Sequence, residues 1–444
     1  MSKTVYGNLE LNGKIFPFLV DGRYVHIVQQ AFQNSKEFIE KDYSYIRGVT
    51  SDNRDILFLN CHLISAKFDS KTIFSIQGYA MSVGNVGDPC DFSFDRITFY
   101  SDAISTFYSP KNAIDRQLSD FGVFSEEWNG AMSIILKPFE ETNISFNFSE
   151  STICELNIAR YINIKDGTEK IGDLVTSFSY RFLDKQKPNN ICKYYLHLYD
   201  FLSFVNYNRN IPFEKIFLET KDSSGKFEKD AKVIIFTNSS LYEGNTRRTI
   251  VAEDLPKEKL GLIFKKVSSF RNKDKKLSLY YPANIQERNE IDPSKWLSSA
   301  LCFEGLFTEI NPHFKEEENE NFKNVKSLIN NAVKSLDKSQ LTKKEKKYFS
   351  DIEEHIDRYE GVLEEKFNFV LKGNLNILKP SSNKNYGEIY AKYRNKLAHG
   401  TIEPLGDDEK EVYRLLRAMI YILLLNDVKL NENDLSKIIN KLFG

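Results

Sequence analysis

The spacing of apolar residues turns helical for the rest of this chain near Pro293, and that change dictates its architecture. Before it, short apolar and aromatic runs such as Lys14–Val20, Ile56–Leu59, Ile144–Phe148 and Leu174–Phe182 are separated by Gly, Asn, Asp and Ser clusters, which is the pattern of half-buried strands. After it, Trp296, Ala300, Phe303, Leu306, Phe307 and Ile310 recur at helical spacing until the Asn311-Pro312 pair stops them. Strand and helix periods cannot share one layer. The reading is therefore an α+β chain: a β-rich, sandwich-like region with a few helices over 1–289, then an all-α bundle over 290–444.

Within the first region the pairs Asn12-Gly13, Asp21-Gly22 and Asp166-Gly167 are hairpin turn signals, so antiparallel hairpins in a sandwich or barrel are expected. A sub-boundary near 186 precedes a helix over Asn189–Asn208, marked by Tyr195, Leu198, Leu202 and Val205. Strands are expected at Ile211–Leu218, Lys232–Phe236 and Leu277–Tyr281, and a helix at Lys257–Phe270. The helical part reads as further segments at Phe322–Leu336, Lys343–Val370, Tyr386–His399, Glu409–Leu425 and Asn433–Leu442.

Charge and composition exclude several classes. The 444 residues carry 61 Lys plus Arg against 62 Asp plus Glu, so no whole-molecule field draws the protein to a polyanion. The longest clean apolar run, Ala418–Leu425, falls far short of the roughly 20 residues that span a bilayer. The opening residues lack the apolar segment of a secretory signal, and the five cysteines are scattered with no CxxC pair, so a reducing, cytoplasmic setting without membrane contact is expected. Six dispersed histidines form no HExxH or zinc-spaced cluster, and no phosphate-cradling glycine motif is present, so neither metal nor cofactor is expected. Cys61 and His62 are neighbours in a strand and should face opposite ways. Cys192 and His197 lie about 140° apart on one helix, which reads as core packing. Arg247-Arg248 and the Arg271–Lys276 cluster read as solvated surface, with contact to RNA phosphates as the alternative.

The most informative stretch is Tyr393-Arg394-Asn395-Lys396-Leu397-Ala398-His399-Gly400, an R-N-x-x-x-H motif at the end of a helix. Asn395 and His399 share a face at i and i+4, whereas Arg394 sits about 140° from His399. One straight helix does not bring all three together. Loosening of the last turn at Gly400, a C-cap residue, or a second copy across a two-fold axis would do so. An arginine can hold a phosphate and stabilise a pentacoordinate transition state, and a histidine can move protons near neutral pH. These are the parts of a metal-independent ribonuclease in which the RNA 2′-hydroxyl is the nucleophile. The alternative is ordinary helix-terminus chemistry, with Arg394 paired to a carboxylate and His399 and Gly400 ending the helix.

Arg394, Asn395 and His399 in a C-terminal helical bundle resemble the RNxxxH motif of the HEPN superfamily, and the FEGLF segment at 303–307 resembles the first helix of its ApeA-like anti-phage branch. The β-rich region, with opening residues such as Gly7–Phe18, is similar to the N-terminal domain of that branch. The resemblance implies an abortive-infection endoribonuclease that acts as a homodimer or higher even oligomer, cleaves a transfer RNA or other RNA of translation, and is restrained until a phage-derived trigger, a protein by expectation, appears. It assigns catalysis to Arg394 and His399 with Asn395 orienting them, a supporting acid role to Glu304, and RNA contact to Tyr393 and Lys396. Two rivals remain open at this point. One is a non-catalytic dimerisation or nucleotide-binding module attached to a protein- or carbohydrate-recognition region; the other is a toxin neutralised by a separate chain.

Overall fold

The structure is a computed structural model that describes residues 5–28, 41–66, 71–84, 90–119, 131–165, 168–237, 242, 248–271, 281–314, 320–335, 341–357 and 363–444. Two compact units divide the chain, Met1–Arg288 and Asn289–Gly444.

In the first unit β1 (Val5–Leu11), β2 (Lys14–Asp21), β3 (Tyr24–Val28), β4 (Asp42–Thr50), β5 (Asp55–Ala66) and β6 (Lys71–Ser75) close into an antiparallel barrel of order β1-β2-β3-β6-β5-β4. Closure removes the free edges that an open sheet would expose. The β1–β2 turn uses Asn12 and Gly13, both at positive φ (51° and 75°), as the two-residue turn that matches strand twist requires. Alternation then does its work: Leu9, Leu11, Phe18, Val25, Ile46 and Phe74 fill the interior, while Tyr6, Ile15 and Leu19 face out.

The strands continue past the barrel as one ladder. On one edge of β5, Ile56–Leu59 pair with β7 (Gly78–Ser82), and residues from His62 onward pair with β6. After β8 (Phe94–Tyr100) a separate hairpin is formed by β9 (Ile114–Ser119) and β10 (Ala131–Leu136). With β11 (Ile144–Ser149), β12 (Thr152–Lys165), β13 (Thr168–Gln186), β14 (Lys215–Lys221) and β15 (Phe227–Ile235), the open sheet has the order β7-β15-β14-β8-β13-β12-β11. The short helices α1 (Asp102–Phe107) and α2 (Phe139–Thr142) lie in its connections, and α3 (Ile191–Asn206) and α4 (Lys257–Arg271) pack beside it. Phe264 of α4 stacks on Phe178 of β13 at 5.5 Å and meets Phe201 of α3 at 4.8 Å, an aromatic core between helices and sheet. Arg288 in α5 (Ile285–Asn289) donates to the carbonyls of Asn206 and Tyr207, supplying a cation at the end of α3.

The expected β-rich region is present, and of the sandwich and the barrel it takes the barrel, joined to an open sheet: β5 serves both, so the strands make one ladder. The strand expected at Ile211–Leu218 is shifted to Lys215–Lys221, because Pro212 has no N–H to give a ladder. Of Leu277–Tyr281 only Tyr281 falls within the described residues, and the Asp166-Gly167 turn lies outside them.

The second unit is helical, with α6 (Pro293–Ile310), α7 (Glu320–Ser335), α8 (Lys343–Asp357), α9 (Leu363–Gly373), α10 (Leu375–Leu378), α11 (Tyr386–Ala398), α12 (Asp407–Asp427) and α13 (Glu432–Phe443). Of the helix expected over Lys343–Val370, α8 and α9 are described, and 358–362 lie outside the described residues. Asp292 caps α6 by accepting from the N–H groups of Ser294 and Lys295, and Pro293 occupies the first turn, where its missing N–H costs nothing. Helices α6, α9, α11 and α12 share the core; α11 approaches α9 closely at Gly387, where a Cβ would stand 2.5 Å from the Asn368 amide. No helix among the described residues is long and apolar enough to cross a membrane.

The β7–β15 contact gives a close test of this arrangement, since a Cβ on Gly78 would lie 2.2 Å from the Ile234 carbonyl oxygen, which is fixed backbone. Gly78→Ala is expected to lower stability by about 1–3 kcal/mol, read as a fall in the urea midpoint by circular dichroism. An unchanged midpoint would contradict the packing.

Candidate active site at the end of helix α11

Tyr390 and Arg394 stand one turn apart on α11 and both turn toward α6. Tyr390 is buried among Trp296, Phe303 and Phe367, with the Phe367 ring stacked on it at 4.9 Å. Its hydroxyl donates to Glu304 Oε1 at 3.1 Å. Burial, reinforced by the Glu304 charge, holds that phenol well above the usual tyrosine range, so it stays a donor.

Arg394 binds the same carboxylate side-on: Nε donates to Oε1 at 2.9 Å and Nη2 to Oε2 at 3.1 Å. The two side chains are only 23% and 18% exposed. The hydrogen bond to Glu304 raises the guanidinium further above its ordinary value, and Arg394 is a permanent cation. Side-on pairing leaves the Nη1–Nη2 edge of the fork without a partner among the described residues.

The end of α11 is set by Gly400, whose φ of +78° suits a residue without Cβ. Gly400 N–H donates to Leu397 O and Thr401 N–H to Lys396 O, the paired bonds of a Schellman cap. His399 is the capping residue itself, with φ −89° and ψ 8°. Asn395 and His399 are both exposed, and their side chains make no hydrogen bond among the described residues.

Tyr393 and Lys396 point to a different neighbour. The Tyr393 ring is buried edge-on against Trp296 at 5.1 Å and its hydroxyl donates to the Glu403 carbonyl at 3.1 Å. Lys396 Nζ pairs with the Glu403 carboxylate at 2.5 Å. Both therefore strap the segment that follows α11. Beside this strap lies a cleft of about 630 Å³ lined by Ile291, Ile402, Pro404, Leu405 and Lys410, among others.

The structure thus brings Glu304 and Arg394 together, sets Asn395 and His399 on the open end of the helix, and ties Tyr393 and Lys396 to Glu403. Sequence reasoning missed Tyr390, although its i, i+4 spacing to Arg394 was the available signal. It also missed the His62–Asp42 pair, formed across neighbouring strands.

The other candidates fall to packing. Cys61 is buried while His62 is exposed, so they face opposite ways, and burial pushes the Cys61 thiol up to about 12. Cys192 and His197 are both buried in α3, the thiol again pushed up to about 12 and the imidazole packed on Phe148 at 5.3 Å. Arg248 gives its carbonyl to Arg288, whereas Arg247 and the side chains of the Arg271–Lys276 cluster lie outside the described residues. No group of three or more potential metal-ligating side chains is present among the described residues.

No family model, no curated protein and no solved structure matches this chain.

The Glu304 carboxylate receives donors from two residues, so Glu304→Ala is expected to cost about 1–3 kcal/mol of stability, with Tyr390→Phe costing about 1 kcal/mol. Chemical denaturation of both variants checks this order. Equal effects would mean that the arginine does not depend on the carboxylate.

Proposed function

We propose that the C-terminal unit is a metal-independent endoribonuclease of HEPN type. The observation that carries this reading is the side-on hold of Arg394 by Glu304, which leaves a bidentate N–H edge open on the same helix end that exposes Asn395 and His399. A phosphate oxygen pair fits such an edge. The RNA 2′-hydroxyl would attack the adjacent phosphorus and expel the 5′-oxygen, His399 would move a proton, and Arg394 would neutralise charge gathering on the phosphoryl oxygens. Asn395 would orient the phosphate or the imidazole.

Positions 394 and 399 are separated by about 7.5 Å of rise and about 140° of turn on one helix. That separation favours a site completed by a second copy, in a homodimer or higher even oligomer. Glu304 is a positioning residue in this scheme, and Tyr393 and Lys396 reach RNA only if the Glu403 strap opens. The family resemblance supplies the setting: cytoplasmic anti-phage defence by abortive infection, a transfer RNA or other RNA of translation as substrate, and restraint by the N-terminal unit until a phage-derived protein trigger arrives. Five free thiols suit a reducing compartment. The competing reading, a binding module without catalysis, draws on the same Arg394–Glu304 pair taken as structure alone.

Incubation of the purified protein with total cellular RNA and EDTA, with and without extract of phage-infected cells, separates the two. Cleavage by the wild type is expected, with Arg394→Ala and His399→Ala slower by about 100-fold or more, and a substrate carrying a 2′-deoxy sugar at the cut resisting. Cleavage that survives both substitutions, or none in either condition, would remove the ribonuclease reading and leave the binding module.

A further inference from the structure

We propose that α8 is a self-association surface that pairs antiparallel with α8 of a second copy, centred on Phe349. The charge order of this helix is the starting point. Residues 343–347 hold four lysines and one glutamate, whereas 351–357 hold four carboxylates and no lysine or arginine. Cations at a helix N-terminus and anions at its C-terminus oppose the helix dipole. An isolated α8 carries each cluster at the wrong end, and an antiparallel neighbour brings to each end the charge that suits it.

The register is specific. Lys344, Lys347, Asp351 and Glu354 follow at intervals of three, four and three, so their positions form one stripe. In a pair centred on Phe349, Lys347 meets the partner's Asp351, a contact made twice by the two-fold axis. Glu345 is already occupied at the cap of its own helix, where it accepts from Thr342 N–H and Oγ1–H. Lys344, Lys347 and Asp351 are exposed and form no ion pair among the described residues.

Apolar surface accompanies the charges. Tyr348 belongs to the same stripe and is 66% exposed. α7, which packs on α8, exposes Leu328 and Ile329 at 68% and 45%. A hairpin of helices about 22 Å long and about 10 Å wide offers on the order of 400 Å² per protomer, the small end of specific interfaces, so association in the micromolar range is expected. This surface is separate from α11. The inference names the same kind of partner as the proposed site, a second copy, but stands without the ribonuclease reading, and its test reads assembly and not cleavage.

Sedimentation equilibrium of the full chain from about 1 to 100 µM tests it. The wild type is expected to self-associate; Lys347→Asp and Asp351→Lys are each expected to weaken that association at least about 10-fold. The double variant K347D/D351K, which restores opposite charges across the axis, should return to within about threefold of the wild type, and a mixture of the two single variants should associate more tightly than either alone. Circular dichroism confirms that these exposed changes leave the fold intact. A wild type that stays monomeric throughout, single variants that assemble as the wild type does, or a double variant as weak as the singles would overturn the proposal.

Discussion

One carboxylate organises the helical unit. Glu304 accepts from the buried Tyr390 hydroxyl and from two nitrogens of Arg394, so three donors on α11 converge on one residue of α6. A partly buried anion is tolerated only when such donors replace water, and here the donors come from a single helix turn. Their convergence fixes the rotation of α11 about its own axis. With that rotation set, Tyr393 must face Trp296 and the Asn395–His399 face must turn outward. The exposure of the motif follows from where the arginine is anchored.

Much of this could be read from the chain before any coordinates. The helical period after Pro293, the Asn-Gly turn of the first hairpin and the Gly400 cap are local signals, and local signals survive in sequence because the residue itself carries the conformational preference. Glu304 was legible as an acid on the first helix able to meet Arg394. Closure of the barrel was not, because it depends on which distant strands pair, and β1 meeting β4 has no mark in either strand alone. Tyr390 escaped notice for a related reason: an aromatic at helical spacing looks like core, and core it is, except for one oxygen.

The cysteines illustrate how burial removes chemistry. Burial is the main cause that pushes the thiols of Cys61, Cys90 and Cys192 up to about 12 and that of Cys154 well above the usual range, with the Asp230 and Asp55 carboxylates adding to it at Cys90 and Glu155 at Cys154. A thiol so held is hardly ever a thiolate, and the thiolate is the reactive form. Nucleophilic chemistry at these four positions is suppressed by the same packing that stabilises the sheet. Chemistry on the protein's groups is left to side chains that reach solvent, and the end of α11 is such a place.

The strand β5 belongs to the barrel and to the open sheet at once, changing neighbours along one edge between Leu59 and His62. Side-chain direction in a strand repeats every two residues, so β5 has no small displacement available: it keeps its register or turns every inward residue out. The wall of the barrel and the sheet beyond it are consequently geared. Strain applied to one reaches the other through the shared strand β5.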